Sequence, residues 1–181
     1  MVKNVIKHIK LVLKHKWYVF IYCSKLGMPF RGLKHDMSKF SPIEFFESVK
    51  YYNGIKSPIV VSRQENGYSK AWLHHKGRNK HHPEYWVDIK APQKTPLIPY
   101  KYVVEMICDK LAACKVYNGK NWTNSSELEY WNKEKQIIEL NKSIEEMLTE
   151  VFEQVAEKGI KPVLTRANIK SLYKKHCENK K

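Results

Sequence analysis

Histidines are concentrated in the first part of the chain, and their spacing is the feature that most strongly suggests chemistry. Seven of the eight histidines lie within residues 8–82: His8, His15, His35, His74, His75, His81 and His82. Four of these imidazoles fall within nine residues, as two adjacent pairs. They would repel one another if protonated together, whereas neutral imidazole is the commonest protein ligand for metals. The spacing therefore indicates a metal site. The alternative is a pH-sensitive or anion-binding surface that includes Lys76, Arg78 and Lys80.

Two aspartates stand in sequence contexts that suit metal ligands. Asp36 directly follows His35, and Asp109 has Met106 and Ala112 as neighbours one helical turn away. An aspartate among apolar and small neighbours costs free energy to bury unless it is paired or bound to a metal. The alternatives are an ordinary turn at His35-Asp36, and a cap or a lysine salt bridge for Asp109.

A long amphipathic helix predicted over residues 2–26 supplies two further candidates, His8 and His15. Both lie beside the apolar stripe of this helix, where a histidine is more often a buried core residue than a ligand. We favour His15 as a ligand because it lies deeper in the helix. The choice between His8 and His15 stays open, as does the choice between His74 and His75.

Helical periodicity runs through nearly the whole chain and predicts the elements that must position these residues. Ser41-Pro42 predicts a helix start, with Glu44 completing a capping box. Residues 57–62 suggest a short extended segment. Further helices are predicted over 68–76 and 100–117, from Ser126 to near Leu140, from Ser143 to Gly159, and after Thr165. Sustained alternation of period two is absent, so the prediction is an all-α fold, a compact helical bundle in one domain over 1–181.

Composition limits the class of protein. The chain has 181 residues, of which 43% are hydrophobic and 28% charged, which excludes disordered, collagen-like and low-complexity classes. Its four cysteines include no C-x-x-C pair, which argues against a disulfide scaffold and a zinc ribbon and favours a reducing compartment. The longest apolar run, residues 17–23, is too short to cross a bilayer. We therefore expect a cytoplasmic protein with no membrane partner.

The net charge points to an anionic partner. The chain carries 33 basic and 18 acidic residues, a formal charge of +15. Such a surplus favours a polyanion or an anionic substrate, although lysines also simply solvate helical surfaces. Basic residues stand beside aromatic ones, as in Lys50-Tyr51 and Lys115-Val-Tyr117, which suits a nucleic-acid-binding module. Spacing typical of a helix-turn-helix or a zinc finger is absent.

The order of the histidines and aspartates resembles that of the HD-domain superfamily of metal-dependent phosphohydrolases. Members of that superfamily are all-α and bind a divalent metal through a His, a His-Asp pair and a distal Asp. The matching positions here are His15, His35-Asp36 and Asp109. The resemblance covers about residues 8–117, which would form an HD-like core. Residues 120–181 would form a helical C-terminal extension.

Two shorter motifs carry the same resemblance. Residues 33–39, Leu-Lys-His-Asp-Met-Ser-Lys, are similar to the superfamily pattern L-x-H-D-x-G-K, with Ser38 at the usual glycine. The His-Asp-x-Ser-Lys motif and the Asn-x-His-His motif at Asn79 also resemble a branch of small bacterial and phage proteins.

The resemblance implies a site and an activity. His15, His35, Asp36 and Asp109 would hold a first ion, and His75, His81 and His82 a second ion or the substrate phosphate. Asp36, Lys39 and Asp109 would serve catalysis, and Lys39 and Arg78 would bind the substrate phosphate. The alternative is that Lys39 and Arg78 are both ordinary surface residues. One or two ions of Mn, Fe, Co, Ni or Zn suit such ligands.

The expected activity is hydrolysis of a nucleotide or other small phosphoester by metal-activated water. Two alternatives stay open. One is a basic nucleic-acid-binding module, and the other is a metal-binding HD-like sensor domain without catalytic activity.

Overall fold

A computed structural model of the chain describes residues 2–178. The single-domain prediction extends over residue 1 and residues 179–181, which lie outside this part, and the domain boundaries stay a prediction. The helices are α1 (Val2–Lys25), α2 (Pro29–Lys34), α3 (Pro42–Lys50), α4 (Pro58–Asn66), α5 (Lys70–Lys76), α6 (Tyr100–Asn118), α7 (Ser126–Glu134), α8 (Lys142–Lys158), α9 (Ile160–Val163) and α10 (Arg166–Tyr173). Short 3₁₀ turns span Met37–Phe40, Pro83–Trp86 and Gly119–Asn121, and a π turn spans Lys174–Glu178.

The all-α prediction is confirmed, because residues 2–178 contain helices and turns but no strand. Within the same residues, no helix combines the length and hydropathy needed to cross a bilayer. The predicted bounds of α1, α5 and α6 are close to those observed, and a glycine follows the end of each of these helices within two residues. Helix α3 begins at Pro42, as predicted.

Helix α6 lies in the interior and carries the acidic residues Glu105 and Asp109. Its apolar side chains, among them Val103, Ile107 and Leu111, are fully buried and join a core with side chains of α1, α8 and α10. Because α6 packs against α1, Glu105 and Asp109 on α6 lie near the His15 turn of α1.

A close helix contact fixes the direction of the segment that carries His35 and Asp36. Helix α2 crosses α1 at Gly32, where a Cβ atom would lie 2.8 Å from the Phe20 Cα and 2.9 Å from the Cys23 Cβ. Only glycine allows the two backbones to approach this closely. Helix α2 therefore rests directly on α1 and delivers the residues after Lys34 to the side of α1 that holds His15.

The prediction of an extended segment over 57–62 is wrong, because these residues begin α4. Isoleucine and two valines in a row suggested a strand. However, Pro58 occupies the first helical position, where its fixed φ angle suits a helix and its missing N–H costs nothing. Gly67, with a φ of 78°, ends this helix in the left-handed conformation.

The capping-box pattern of a serine followed three residues later by a glutamate occurs at Ser41, Ser126 and Ser143, but no such box forms at any of them. The Ser41 side chain makes no capping hydrogen bond. Helix α7 has no side-chain cap and ends at Glu134, earlier than predicted. Helix α8 is capped by Asn141, whose side chain accepts a hydrogen bond from the Ser143 N–H. A serine followed three residues later by a glutamate thus marked the approximate start of each helix, but not the cap itself.

Candidate metal centre

The turn between α2 and Met37 presents Asp36 in an unusual backbone conformation. Asp36 has a φ of 52°, and it is the one residue other than glycine with a positive φ among those described. Aspartate tolerates this left-handed region better than most residues, but it still costs about 1–3 kcal/mol. The Lys16 ammonium on α1 donates a hydrogen bond to the His35 carbonyl and holds the turn in place. The surrounding contacts therefore hold Asp36 in a conformation that local preferences disfavour.

Four side chains from three elements converge to form what we call the first group: His15, His35, Asp36 and Asp109. The Asp109 Oδ1 lies 2.9 Å from the His15 Nε2 and 3.3 Å from the His35 Nε2. The Asp36 Oδ2 is 3.3 Å from the same His35 nitrogen. One atom from each of the four lies within 4.8 Å of the others, which is close enough for all four to bind one ion.

A second group shares Asp36 and adds three imidazoles, those of His75, His81 and His82. The Asp36 Oδ1 lies 3.3 Å from the His75 Nε2 and 3.5 Å from the His81 Nε2. The His75 and His82 Nε2 atoms are 2.9 Å apart. The Asp36 Oδ2 therefore faces His35 of the first group, whereas its Oδ1 faces two imidazoles of the second group.

Two buried polar atoms in these groups show that the residues fit a cation. The Asp36 Oδ1 and the His81 Nε2 are buried and have no hydrogen-bond partner among the described residues. Buried polar atoms without partners cost free energy, so each such atom in a native protein calls for an explanation. A cation held between the imidazoles and the carboxylates would satisfy both atoms. The buried His/Asp groups could thus hold a metal ion.

Glu105 on α6 orients two of the imidazoles. Its Oε1 accepts hydrogen bonds from the Nδ1–H of His35, at 3.0 Å, and of His81, at 3.2 Å. Its Oε2 accepts one from Arg31, at 2.7 Å. An ionised carboxylate only accepts hydrogen bonds, so each Nδ1 carries a proton and each Nε2 is turned away from Glu105. Although these three residues could themselves surround an ion, their geometry suits this outer role better.

Glu44 on α3 does the same for the histidine pair of α5. Its Oε2 accepts a hydrogen bond from the His75 Nδ1–H at 2.7 Å, and its Oε1 accepts one from His74 at 2.6 Å. The His75 Nε2 therefore faces Asp36, whereas His74 belongs to neither group. This contact is also the reason that Glu44 does not complete a capping box at Ser41.

The charge states of the carboxylates follow from their neighbours. Burial opposes ionisation of Asp36, but His35 and Lys39 outweigh it and hold the pKa of Asp36 well below its usual range. Burial likewise opposes ionisation of Asp109, but hydrogen bonds from His15 and His35 hold its pKa low. Both carboxylates are therefore ionised at neutral pH.

The pKa values of the imidazoles are shifted in two opposite directions. Burial lowers the pKa of His15, against the influence of Asp109, and burial together with His81 and His75 lowers the pKa of His82 well below its usual range. For His35, burial also acts to lower the pKa, but Asp36 and Asp109 outweigh it, and the pKa of His35 is raised well above its usual range. The carboxylates thus favour a positive charge at the centre of the first group.

The family of the chain is shown by sequence comparison. A family model described as a family of unknown function, DUF5662, matches residues 4–157. The chain belongs to this family. The matched region includes every residue of both groups, together with Glu44 and Glu105. No curated protein and no solved structure matches the chain. The likeness to HD domains therefore stays a prediction.

The structure brings together the seven residues predicted as metal ligands, in two groups that share Asp36. It also separates the pairs that the sequence left open. His8 is buried against the rings of Phe45 and Tyr52 and belongs to neither group, whereas His15 belongs to the first.

The two residues predicted to bind phosphate lie in different places. The Lys39 ammonium is 2.7 Å from the Asp36 Oδ2, and 30% of its side chain is exposed. Arg78 is exposed and lines a cleft beside Glu105 and His81. Lys39 thus contacts Asp36 of the first group, whereas Arg78 lines the cleft instead.

Sequence reasoning missed Glu44 and Glu105 as functional residues. Glu105 stands four residues before Asp109 on one helix, so both acids lie on the same face, and this spacing is the signal that could have revealed it. Glu44 gave no such signal, because its contact with the α5 histidines joins residues about thirty positions apart.

Proposed function

We propose that the chain is a metal-dependent phosphohydrolase that acts on a nucleotide or another small phosphoester. The observation that carries the proposal is the Asp36 carboxylate, whose Oδ2 faces His35 of the first group and whose Oδ1 faces His75 and His81 of the second. Mixed imidazole and carboxylate ligands suit Mn, Fe, Co, Ni or Zn. One or two such ions, when bound, lower the pKa of bound water and neutralise charge on a phosphoryl group.

The ligands divide between the two positions. His15, His35 and Asp109 would hold the first ion together with Asp36, and the remaining three imidazoles would hold the second with the other oxygen of Asp36. The shared carboxylate would keep the two positions adjacent, the arrangement that two-metal phosphoryl-transfer sites use.

The carboxylates of Glu105 and Glu44 orient the imidazoles for metal binding. Because Glu105 and Glu44 accept the Nδ1–H protons, the Nε2 atoms of His35, His81 and His75 point toward Asp36 before any ligand binds. Residues bound to ligating histidines in this way raise ligand basicity and fix ring orientation. The chain therefore provides a preorganised site.

Lys39 is the residue best placed to bind the substrate. Burial acts to lower its pKa, but Asp36 and Asp109 outweigh that effect and raise the pKa of Lys39, so the ammonium keeps its charge. Its side chain is 30% exposed and that of Asp109 is 17% exposed, so this edge of the site is open to solvent. A phosphate that arrives from this edge would accept a hydrogen bond from Lys39. Lys39 would also hold Asp36 in orientation.

The test compares two aspartates. Untagged wild type, Asp36→Asn and Asp88→Asn would be analysed for bound metal and screened against nucleotides and simple phosphoesters with Mn added. Asp88 is an exposed aspartate of the loop before α6 and serves as the matched control. We expect metal and hydrolysis in the wild type and in Asp88→Asn, and the loss of both in Asp36→Asn.

Two outcomes would contradict the proposal. If metal binds and no phosphoester is hydrolysed, the chain is a metal-binding domain without this activity. If none of the three proteins binds metal after incubation with Mn, Fe, Co, Ni and Zn, both the site and the activity are rejected.

A further inference from the structure

We propose that a basic cleft next to the candidate metal centre binds a nucleoside oligophosphate as a second ligand. The cleft lies between α2, the segment after α5, and α6, and has a volume of about 440 Å³. That volume is in the range of small-molecule sites in proteins. The side chains that determine its character are those of Phe30, Arg31, Lys34, Arg78, Lys80 and Tyr102.

The charge of the cleft is strongly positive. Glu105 is its sole acidic lining residue, and both of its oxygens are already engaged, Oε2 by Arg31 and Oε1 by two imidazoles. Lys34, Arg78 and Lys80 form no ion pair with any described residue. Three positive charges around one cleft therefore lack compensation, and this favours a multiply charged anion.

The residue types that line the cleft favour a ligand that carries phosphate groups and a planar ring. A guanidinium such as that of Arg78 can bind two phosphate oxygens at once, and the ammonium groups of Lys34 and Lys80 act as point charges beside it. Phe30 lines the same cleft with 78% of its surface exposed, so its ring is free to stack on a base. Together these features fit an oligophosphate that carries a nucleobase.

The cleft is distinct from the position that Lys39 serves. The Nε2 of His81 faces Asp36, whereas its Nδ1 faces Glu105, which lines the cleft. A ligand in the cleft therefore lies on the Nδ1 side of the His81 ring, whereas Asp36 lies on its Nε2 side. The proposal does not depend on the proposed hydrolase activity, because no metal is needed for the cleft to bind an anion.

Arg31 links the cleft to the metal ligands. It donates to Glu105, which in turn holds His35 and His81. A phosphate in the cleft would compete with Glu105 for the Arg31 guanidinium, because both are strong acceptors for it. Binding in the cleft would then change the environment of these two imidazoles.

Calorimetric titration in the presence of a metal chelator tests the proposal. Adenosine triphosphate and inorganic triphosphate would be titrated into the wild type, into Arg78→Ala/Lys80→Ala, and into Lys133→Ala/Lys161→Ala. The last two lysines are exposed and lie on α7 and α9, outside the cleft, so this variant loses the same charge. All substituted side chains are exposed, and circular dichroism would verify the helical fold.

We expect one ligand to bind per chain. Loss of the two cleft cations should weaken binding about 10- to 100-fold, the effect of losing hydrogen bonds between charged groups. The control variant should bind like the wild type. Phe30→Ala should weaken binding of adenosine triphosphate but not of inorganic triphosphate, because only the former has a base to stack.

Nitrogen chemical shifts of the imidazoles would locate the ligand. Addition of inorganic triphosphate should shift the His81 and His35 resonances, while His176, which is bound to Glu150 on α8, should not move. Absence of binding, equal weakening in both double variants, or unmoved His81 resonances would overturn the proposal. Binding of a single-stranded oligonucleotide but not of triphosphate, with a steep salt dependence, would also overturn it and would identify a nucleic-acid surface instead.

Discussion

Replacing Glu105 with glutamine should weaken metal binding although Glu105 is not one of the ligands of either group. The carboxylate accepts hydrogen bonds from His35 and His81 at one oxygen and from Arg31 at the other. A glutamine amide has one accepting oxygen and one donating nitrogen. Whichever way it turns, its NH₂ group faces either the Arg31 guanidinium or the imidazole N–H groups, which are donors too.

The size of the effect follows from the bonds lost. Each hydrogen bond to the charged carboxylate contributes about 1.5–3 kcal/mol, and loss of a residue that orients a ligating histidine typically lowers metal affinity about 10- to 100-fold. We therefore expect the dissociation constant of Glu105→Gln for Mn or Zn to rise by about that factor.

The assay is competition with a chelator of known affinity, with Glu139→Gln as the matched control. Glu139 is an exposed acid that pairs with Lys94 at 2.6 Å, so its replacement should leave metal affinity unchanged. Circular dichroism would show that both variants keep their helices. Unchanged affinity in a folded Glu105→Gln would refute the argument that this carboxylate orients His35 and His81.

Three further predictions concern other parts of the molecule. Gly32→Ala should destabilise the fold by about 1–3 kcal/mol in urea titrations, because the added Cβ would lie 2.8 Å from the Phe20 Cα. Gly77→Ala, whose added Cβ would have its nearest contact at 3.4 Å, should change stability little. Equal effects of the two substitutions would contradict the close contact between α1 and α2. Burial raises the pKa of Glu127 from 4.5 to about 8, so the free energy of unfolding should fall as pH rises between these values, because the unfolded state releases the proton of Glu127 first. Glu127→Gln should remove that part of the pH dependence of stability. An unchanged pH profile in this variant would contradict the raised pKa of Glu127. Asp109→Asn should lose the metal of the first group while the second, which contains Asp36 without Asp109, retains one; loss of both ions or of neither would contradict the division into groups.

The sequence predicted the elements that depend on local pattern. The apolar period of α1 and α6 and the punctuation by Gly27 and Asn118-Gly119 are local features, and the observed helix bounds follow them closely. Residues 57–62 were predicted wrongly because β-branched residues have a weak preference for strands, and the proline at the helix start outweighed it.

The candidate site was predictable in its residue types but not in its outer contacts. His15, His35-Asp36 and Asp109 stand at recognisable positions along the chain, and the structure places them together. The choice between His74 and His75 depends on which side of α5 faces Asp36, and this is decided by packing of α5 against α3. Contacts of that kind join residues far apart in sequence, so the pattern of one chain does not reveal them.

The role of Arg78 shows the same limit. Its neighbourhood of histidines and lysines suggested a phosphate ligand at the metal site, but the turn after α5 directs it to the cleft beside Glu105. The residue type was informative about the ligand, while its location depended on the path of the backbone.

Anomalous X-ray scattering from a crystal of the protein soaked in Mn would show directly whether two metal ions share Asp36. Asp36 belongs to both groups that could hold a metal ion. We expect one anomalous peak among His15, His35, Asp36 and Asp109 and, at full occupancy, a second among Asp36, His75, His81 and His82. Peaks only at surface carboxylates, or ions that are bound without contact to Asp36, would contradict it.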